Sequence, residues 1–181
     1  MTSRSCLVFE NLVALGYQSG LPGDKLTAAM FVRAFERVVV ELHGFRIGHG
    51  DLYATNLWWR LDPSTHQVLV TIVDWDSGFF LCDGVPENWA ARWSHTPKWR
   101  LYARMVGDGH PAEDACRAAD TYFVSVLKLY LQTQRWDKWL LLATSKDPNL
   151  DLKKLVWDDN CINRLSSPGD ECCDMHAALG H

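Results

Sequence analysis

Three side chains with oxygen donors lie beside the ends of apolar, strand-like segments in the middle of this sequence. Asp51 and Asn56 belong to the stretch 49–56, which reads HGDLYATN, and Asp74 belongs to the stretch 73–76, which reads VDWD. A carboxylate is costly to bury unless it has a partner. Carboxylates at strand ends therefore indicate a bound cation, a proton-transfer role or a hydrogen-bond network.

Two apolar runs, 57–61 and 68–73, are joined by a segment rich in turn-forming residues, which is typical of a β-hairpin. Asn56 precedes the first strand and Asp74 follows the second. Because the strands of a hairpin run antiparallel, these two positions lie at the same end of the pair. We therefore expect residues that are 18 positions apart in the chain to be close in space, with Asp51 looping back to the same place.

Phosphoryl transfer is one reaction that uses such groups, because it needs a residue that orients the attacking hydroxyl and ligands that hold Mg²⁺. Mg²⁺ prefers hard oxygen ligands and keeps several waters. The Asp74 carboxylate and the Asn56 amide oxygen suit that preference. Asp51 is then free to act as a general base, a role that contributes roughly 10²–10⁴ in rate.

Other interpretations of these residues stay open. Asp and Asn also form turn and cap networks near strands, and Asp76 is either a second metal contact or a solvated loop residue. A zinc site among the C-terminal Cys and His residues is a further alternative, although their spacing matches no standard zinc motif. A metallophosphoesterase would need several His ligands for two metals, and His49 has no such companions nearby.

The elements that must position these groups are mainly helical, and we expect an α+β fold that is mostly α. Apolar residues at helical spacing predict long helices at residues 26–43 and 111–132. Shorter helices are predicted at 136–143 and 150–157, and short helical pieces around Trp89, Trp93 and Trp99. A short buried strand is predicted at residues 6–12, followed by a glycine-containing loop at 16–23. Residues 1–165 are expected to form one domain and residues 166–181 a flexible tail.

The composition is typical of one globular domain, with 181 residues, 48% of them apolar, and nine tryptophans. The net charge of −4 comes without the basic stripe that marks nucleic-acid binding, so we expect neither nucleic acid nor a membrane surface as a partner. We also expect no signal peptide and no membrane-spanning segment. The six cysteines form no disulfide-type framework, which favours a reduced, cytoplasmic protein.

The motif His49-x-Asp51-x4-Asn56, followed across the hairpin by Asp74, resembles the catalytic loop and metal-binding motif of the protein-kinase-like superfamily. Gly50, together with Asp-Trp-Asp where protein kinases have Asp-Phe-Gly, is similar to the aminoglycoside phosphotransferase and choline-kinase branch. That branch phosphorylates hydroxyl groups on small molecules.

More of the chain is similar to that branch. Residues 6–12 look like the last strand of the N-lobe and the hinge, and the helix at 26–43 looks like the helix before the catalytic loop. The resemblance covers roughly residues 6–130. It implies the C-terminal lobe of a protein-kinase-like fold with a small active-site β-hairpin.

The resemblance also implies a role for each residue of the site. Asp51 would be the catalytic base, and Asn56 and Asp74 would be the Mg²⁺ ligands. His49 would be a structural residue of the catalytic loop. The implied nucleotide-binding residues are Glu10, Leu12 and Trp58.

The expected function is an ATP- and Mg²⁺-dependent phosphotransferase that acts on a hydroxyl group of a small molecule. Two alternatives are a catalytically inactive, pseudokinase-like binding module and a fragment similar to a protein serine/threonine kinase. The N-lobe of this superfamily has a Gly-rich loop over the phosphates and a strand with a phosphate-pairing lysine.

Neither N-lobe pattern occurs in the 181 residues. The chain is therefore expected to be a truncated form of such an enzyme or a degenerate relative. A surface suited to an N-lobe, around residues 7–12 and the hairpin, should then be unusually apolar. Exposed apolar patches promote association, so we also expect possible self-association through this surface.

Overall fold

The computed structural model describes residues 11–85 and 96–144, which form an α+β fold, as the sequence predicts. The helices are α1 (Lys25–Gly44), α2 (Pro97–Gly107), α3 (Ala112–Gln132) and α4 (Trp136–Thr144). The strands are β1 (Gln18–Ser19), β2 (Ile47–Gly48), β3 (Leu57–Leu61), β4 (Val68–Ile72) and β5 (Phe79–Phe80). Within these described residues, no helix combines the length and apolar character needed to cross a membrane.

Helix α1 confirms the predicted helix at 26–43 to within one residue at each end. It begins after Asp24, whose side chain accepts a hydrogen bond from the Thr27 backbone N–H at 2.9 Å, and this N-cap satisfies one of the free donors of the first turn. Phe31, Phe35 and Val39 recur on one side of the helix and are buried. Because their burial stabilises the helix, the modest helix propensity of valine does not prevent it from forming.

The predicted hairpin is confirmed. Strands β3 and β4 pair antiparallel from Leu57 opposite Ile72 to Leu61 opposite Val68. The ladder continues one step further, because the Val73 N–H donates to the Asn56 carbonyl oxygen at 3.0 Å. The start of the first strand and the end of the second therefore lie side by side.

The prediction of a strand at 6–12 is wrong at Asn11 and Leu12, the two residues of that range that the structure describes. Asn11 and Leu12 belong to a turn, in which the Asn11 carbonyl accepts from Leu15 N–H at 3.1 Å and the Leu12 carbonyl accepts from Tyr17 N–H at 2.9 Å. The Asn11 side chain also accepts from the Ala14 N–H at 3.1 Å. An asparagine that bonds to nearby backbone in this way favours a turn over a strand.

One edge strand of the three-stranded sheet is instead β1, which lies inside the segment predicted to be a loop. Gln18 pairs with Trp59 and Ser19 pairs with Trp58, which gives the strand order β1-β3-β4. Gly16 and Gly20 bracket this short strand, and both have positive φ angles. Such angles are accessible to glycine at little steric cost, so the two glycines turn the chain into and out of the sheet edge.

The core lies between α1, α3 and the inner face of the hairpin. Phe35 of α1 and Phe123 of α3 meet edge to face, with ring centroids 6.4 Å apart. Helix α4 is attached through the fully buried Trp139, whose indole N–H donates to the Pro22 carbonyl at 2.7 Å. Helices α3 and α4 confirm the predictions at 111–132 and 136–143, whereas the predicted helix at 150–157 and tail at 166–181 lie outside the described residues.

Candidate active site

His49 is completely buried at the start of the loop that carries Asp51. Its Nε2–H donates to the Val73 carbonyl at 3.0 Å, and its Nδ1 accepts from the Asp51 backbone N–H at 3.2 Å. These two bonds assign the neutral imidazole with its proton on Nε2. Burial lowers the pKa of His49 and favours the same neutral form. The histidine therefore connects the loop to the end of β4.

Asp120 holds the same loop from the other side and was not found by the sequence analysis. It lies on α3, is 4% exposed, and accepts backbone N–H bonds from His49 at 3.1 Å and Gly50 at 2.8 Å. It also accepts a hydrogen bond from His43 Nε2 at 3.0 Å. An acidic residue next to Ala119, on the apolar side of a predicted helix, was the signal that could have revealed it.

Asp51 and Asn56 are joined directly. The Asn56 Nδ2 group donates to the Asp51 backbone carbonyl at 2.8 Å and to the Asp51 carboxylate at 3.2 Å. The Asn56 Oδ1 atom accepts a bond from the Thr55 hydroxyl at 3.3 Å. Asn56 is buried, whereas the Asp51 side chain is 43% exposed. The structure thus brings a buried amide against a carboxylate that remains accessible to a ligand.

Asp74 is the second residue after β4, and its neighbour Val73 is bonded through its N–H to the Asn56 carbonyl. Its backbone is left-handed, with φ 64° and ψ 67°. Aspartate is one of the few residues other than glycine that tolerate this conformation, and such strained positions cluster at functional sites. The Trp75 indole N–H donates to the Ile72 carbonyl at 3.1 Å, which ties the turn that contains Asp74 to the end of β4.

Lys98 is the second residue of the site that the sequence analysis missed. It lies in the first turn of α2 and is buried, and its ammonium donates to the Gly50 carbonyl. It also lies 3.5 Å from the Asp51 carboxylate and 4.5 Å from the centre of the Tyr53 ring. Burial lowers the pKa of Lys98, and the negative charge of Asp51 opposes that shift.

A pocket of about 120 Å³ opens at this point of the surface. Its lining residues are Gly50, Asp51, Tyr53, Ser77, Thr96, Lys98 and Trp99. Burial raises the pKa of the Tyr53 phenol well above its ordinary value, so the phenol stays neutral. The pocket therefore combines one carboxylate, one ammonium, hydroxyl groups and aromatic walls.

The remaining predicted residues are distributed as follows. Trp58 lies on β3 between Ser19 and Thr71 of the neighbouring strands, and it points away from the core-facing Trp59. Leu12 lies in a turn rather than in a strand, and Glu10 lies outside the described residues. Exposed hydrophobic side chains do occur near this sheet edge, at Val13, Leu15 and Leu61. Self-association through that surface stays a prediction.

The metal-binding capacity of the described residues is limited. Within 11–85 and 96–144, no group of three or more His, Cys, Asp or Glu side chains is arranged to hold a metal ion. A divalent ion at this site would therefore depend on few protein ligands together with water or substrate oxygens, as Mg²⁺ commonly does. The C-terminal Cys and His residues considered for zinc lie outside the described residues.

Comparison with known proteins adds no assignment. No protein-family model matches the sequence, and no curated protein is significantly similar to it. The chemistry of the site is therefore argued from its own residues.

Proposed function

We propose that this chain carries the C-terminal lobe of a protein-kinase-like fold, of the aminoglycoside phosphotransferase and choline-kinase type. Its proposed activity is the transfer of a phosphoryl group from ATP to a hydroxyl group of a small molecule. One arrangement carries the proposal: the accessible Asp51 carboxylate is hydrogen-bonded to Asn56, and a backbone bond joins Asn56 to Val73, the residue before Asp74. A turn-and-cap network accounts less well for a loop braced by the two buried residues His49 and Asp120.

Asp51 is the proposed general base. The acceptor hydroxyl donates its hydrogen bond to the Asp51 carboxylate, and the hydroxyl oxygen forms a bond to the γ-phosphorus of ATP. The bond from that phosphorus to the β–γ bridging oxygen breaks, and its electron pair leaves with ADP. The hydroxyl proton passes to Asp51. The Asn56 amide bonds to one oxygen of the carboxylate, and the other oxygen lies 3.5 Å from the Lys98 ammonium, where it is proposed to accept from the hydroxyl.

Asn56 and Asp74 are the proposed ligands of Mg²⁺. The Asn56 Nδ2 group is used by Asp51, so the Oδ1 atom is the part of the amide that faces away from Asp51 and can bind a cation. Asp74 is exposed, and within the described residues its side chain makes no capping bond to the turn that follows. These donors fit a hard divalent ion. Mg²⁺, when bound, would neutralise charge on the nucleotide phosphates.

The outer face of the sheet is the proposed floor of the adenine site. Trp58 is half-buried on that face, and a flat aromatic ring offers an apolar surface to a planar base. Leu12 remains a proposed adenine contact through its backbone, although its carbonyl already accepts from Tyr17 N–H. Glu10 keeps the same proposed role from the sequence alone.

A catalytically inactive, pseudokinase-like module and a protein serine/threonine kinase-like fragment remain the alternatives. The pocket of about 120 Å³ favours a small acceptor over a folded protein. We also propose a cytoplasmic location, and the free thiols of Cys82 and Cys116 agree with a reducing compartment.

The test is a screen of ATP consumption with Mg²⁺ against a panel of small hydroxyl compounds, run on the wild-type chain, Asp51→Asn and Asp137→Asn. We expect Asp51→Asn to lower turnover by roughly 10²–10⁴, the contribution of a positioned general base. Asp137→Asn changes an exposed acid on α4 and should leave turnover unchanged. Normal turnover by a folded Asp51→Asn variant would remove Asp51 from the mechanism, and no turnover with any acceptor would favour the inactive module.

A further inference from the structure

Lys98 occupies a position that local stability does not favour. Lysine is almost never fully buried unless it is paired, yet Lys98 is only 6% exposed. It also lies in the first turn of α2, where the positive end of the helix dipole disfavours a cation. Departures from local preference of this kind are expected at functional sites. The position therefore calls for an anionic partner.

The partners of Lys98 within the described residues satisfy its ammonium only in part. An ammonium group has three N–H donors. One is directed to the Gly50 carbonyl, and the 3.5 Å contact with Asp51 is at the outer limit of a hydrogen bond. The rings of Tyr53 and Trp99 lie 4.5 and 5.5 Å from Nζ and attract the cation without accepting a conventional hydrogen bond. Donor capacity therefore remains on this ammonium, and Lys98 is one of the residues that line the pocket.

We propose that Lys98 is a catalytic residue of the phosphotransfer site, whose ammonium contacts the phosphoryl group as it moves from ATP to the acceptor oxygen. This inference rests on the function proposed above. Lys98 and Asp51 line the same pocket, and their charged atoms are 3.5 Å apart. An acceptor oxygen bound to Asp51 therefore lies beside Lys98, and so do the oxygens of the phosphoryl group that it attacks.

The opposite charges of Asp51 and Lys98 serve different parts of the same phosphoryl-transfer step. The acceptor oxygen bonds to phosphorus, its proton goes to Asp51, and the ADP oxygen leaves with the electron pair of the broken bond. Negative charge is spread over the oxygens of the transferred group during this step. A fixed ammonium among apolar ring walls stabilises such charge more than water would, because little reorganisation is needed.

The decisive experiment is a calorimetric titration with inorganic phosphate in the presence of a metal chelator. It needs neither ATP nor the acceptor. The proteins are the wild-type chain, Asp51→Asn, Lys98→Met and the double variant, with Lys98→Arg as the charge-conserving change. Lys138→Met, on α4 and outside the pocket lining, is the matched control for loss of one positive charge.

We expect Asp51→Asn to bind phosphate about tenfold more tightly than the wild type, because it removes a negative charge 3.5 Å from the ammonium. Adding Lys98→Met should abolish that gain, whereas Lys98→Arg should keep phosphate binding and Lys138→Met should not alter it. The double variant removes both the Asp51 and the Lys98 charge, so neither charge is left buried without its partner. Thermal unfolding confirms that each variant is folded.

Two results would overturn the role of Lys98. One is a folded Asp51→Asn variant that binds phosphate no better than the wild type, and this result does not depend on any change at Lys98. The other is a double variant that binds phosphate as tightly as Asp51→Asn. Failure of the phosphotransferase proposal has a different signature, namely phosphate binding that depends on Lys98 in a chain that transfers no phosphoryl group to any hydroxyl compound.

Discussion

Replacing Asp120 by alanine removes the acceptor of three hydrogen bonds in a place that solvent does not reach. The donors are the backbone N–H groups of His49 and Gly50 and the Nε2–H of His43. Two of them belong to the Asp51 loop itself, and the third belongs to α1. An alanine at position 120 offers none of them a new partner.

The size of the effect follows from those three donors. Orphaning one buried donor costs about 1–3 kcal/mol, which sets a ceiling of about 9 kcal/mol. The variant also relieves the cost of burying a carboxylate, and removing one partner of a buried pair typically costs about 3–5 kcal/mol. We therefore expect Asp120→Ala to lower the free energy of unfolding by about 3–5 kcal/mol. For a chain of this length, that corresponds to a decrease in Tm of about 6–20 °C.

Urea unfolding followed by tryptophan fluorescence measures this loss. Asp137→Ala is the control for loss of a carboxylate, because the Asp137 side chain is 65% exposed and its ion pair with the nearby Arg135 lies at the surface. Its unfolding midpoint should stay at the wild-type value. A decrease below about 0.5 kcal/mol for Asp120→Ala, the size of an ordinary surface change, would refute the idea that this carboxylate braces the loop.

Two further predictions concern the same loop. Burial lowers the pKa of His49 from 6.5, so on acidification the unfolded chain binds a proton before the folded chain does. The contribution of His49 to the free energy of unfolding is therefore complete above about pH 6.5 and is lost as the pH falls through the folded-state pKa. Urea titrations from pH 8 to 5 should show that the free energy of unfolding depends less on pH in His49→Gln than in the wild type. Identical pH profiles of the two proteins would contradict this. In Gly48→Ala the new Cβ would lie within 3.0 Å of three ring carbons of Phe79, which should cost about 1–3 kcal/mol. The control is Gly44→Ala, because a Cβ at position 44 meets open space. An equal effect of the two substitutions on the thermal unfolding temperature would count against close packing between Gly48 and Phe79.

The parts of the fold that could be predicted from the sequence are those with a local signal. In 26–43 and 111–132 the apolar residues recur at helical spacing along nearly the whole of each helix. The hairpin is indicated by two strand-like runs that a turn-forming segment joins. The same hairpin geometry explains why Asn56 and Asp74 could be predicted to meet. The hairpin register then follows from the alternation of inward and outward side chains.

The parts that could not be predicted depend on contacts between distant segments. Asp120 bonds to the loop across 71 positions of the chain, and Lys98 approaches Asp51 across 47. Helical periodicity indicates which face of a helix is buried but not which loop that face meets. Strand β1 escaped prediction for another reason, because two residues are too few for an alternating pattern.

The long reach of Asp120 also has a consequence for the order of events during biosynthesis. The hairpin can close as soon as its few neighbouring residues have been made, since short loops close at low entropic cost. The Asp51 loop must wait for Asp120, and at about 5–20 residues per second the ribosome needs about 4–14 s to add the 71 residues between His49 and its carboxylate partner. During synthesis both strands of the hairpin are therefore present before the Asp51 loop has its carboxylate partner, and the order of translation delays the bracing of that loop until α3 has been made.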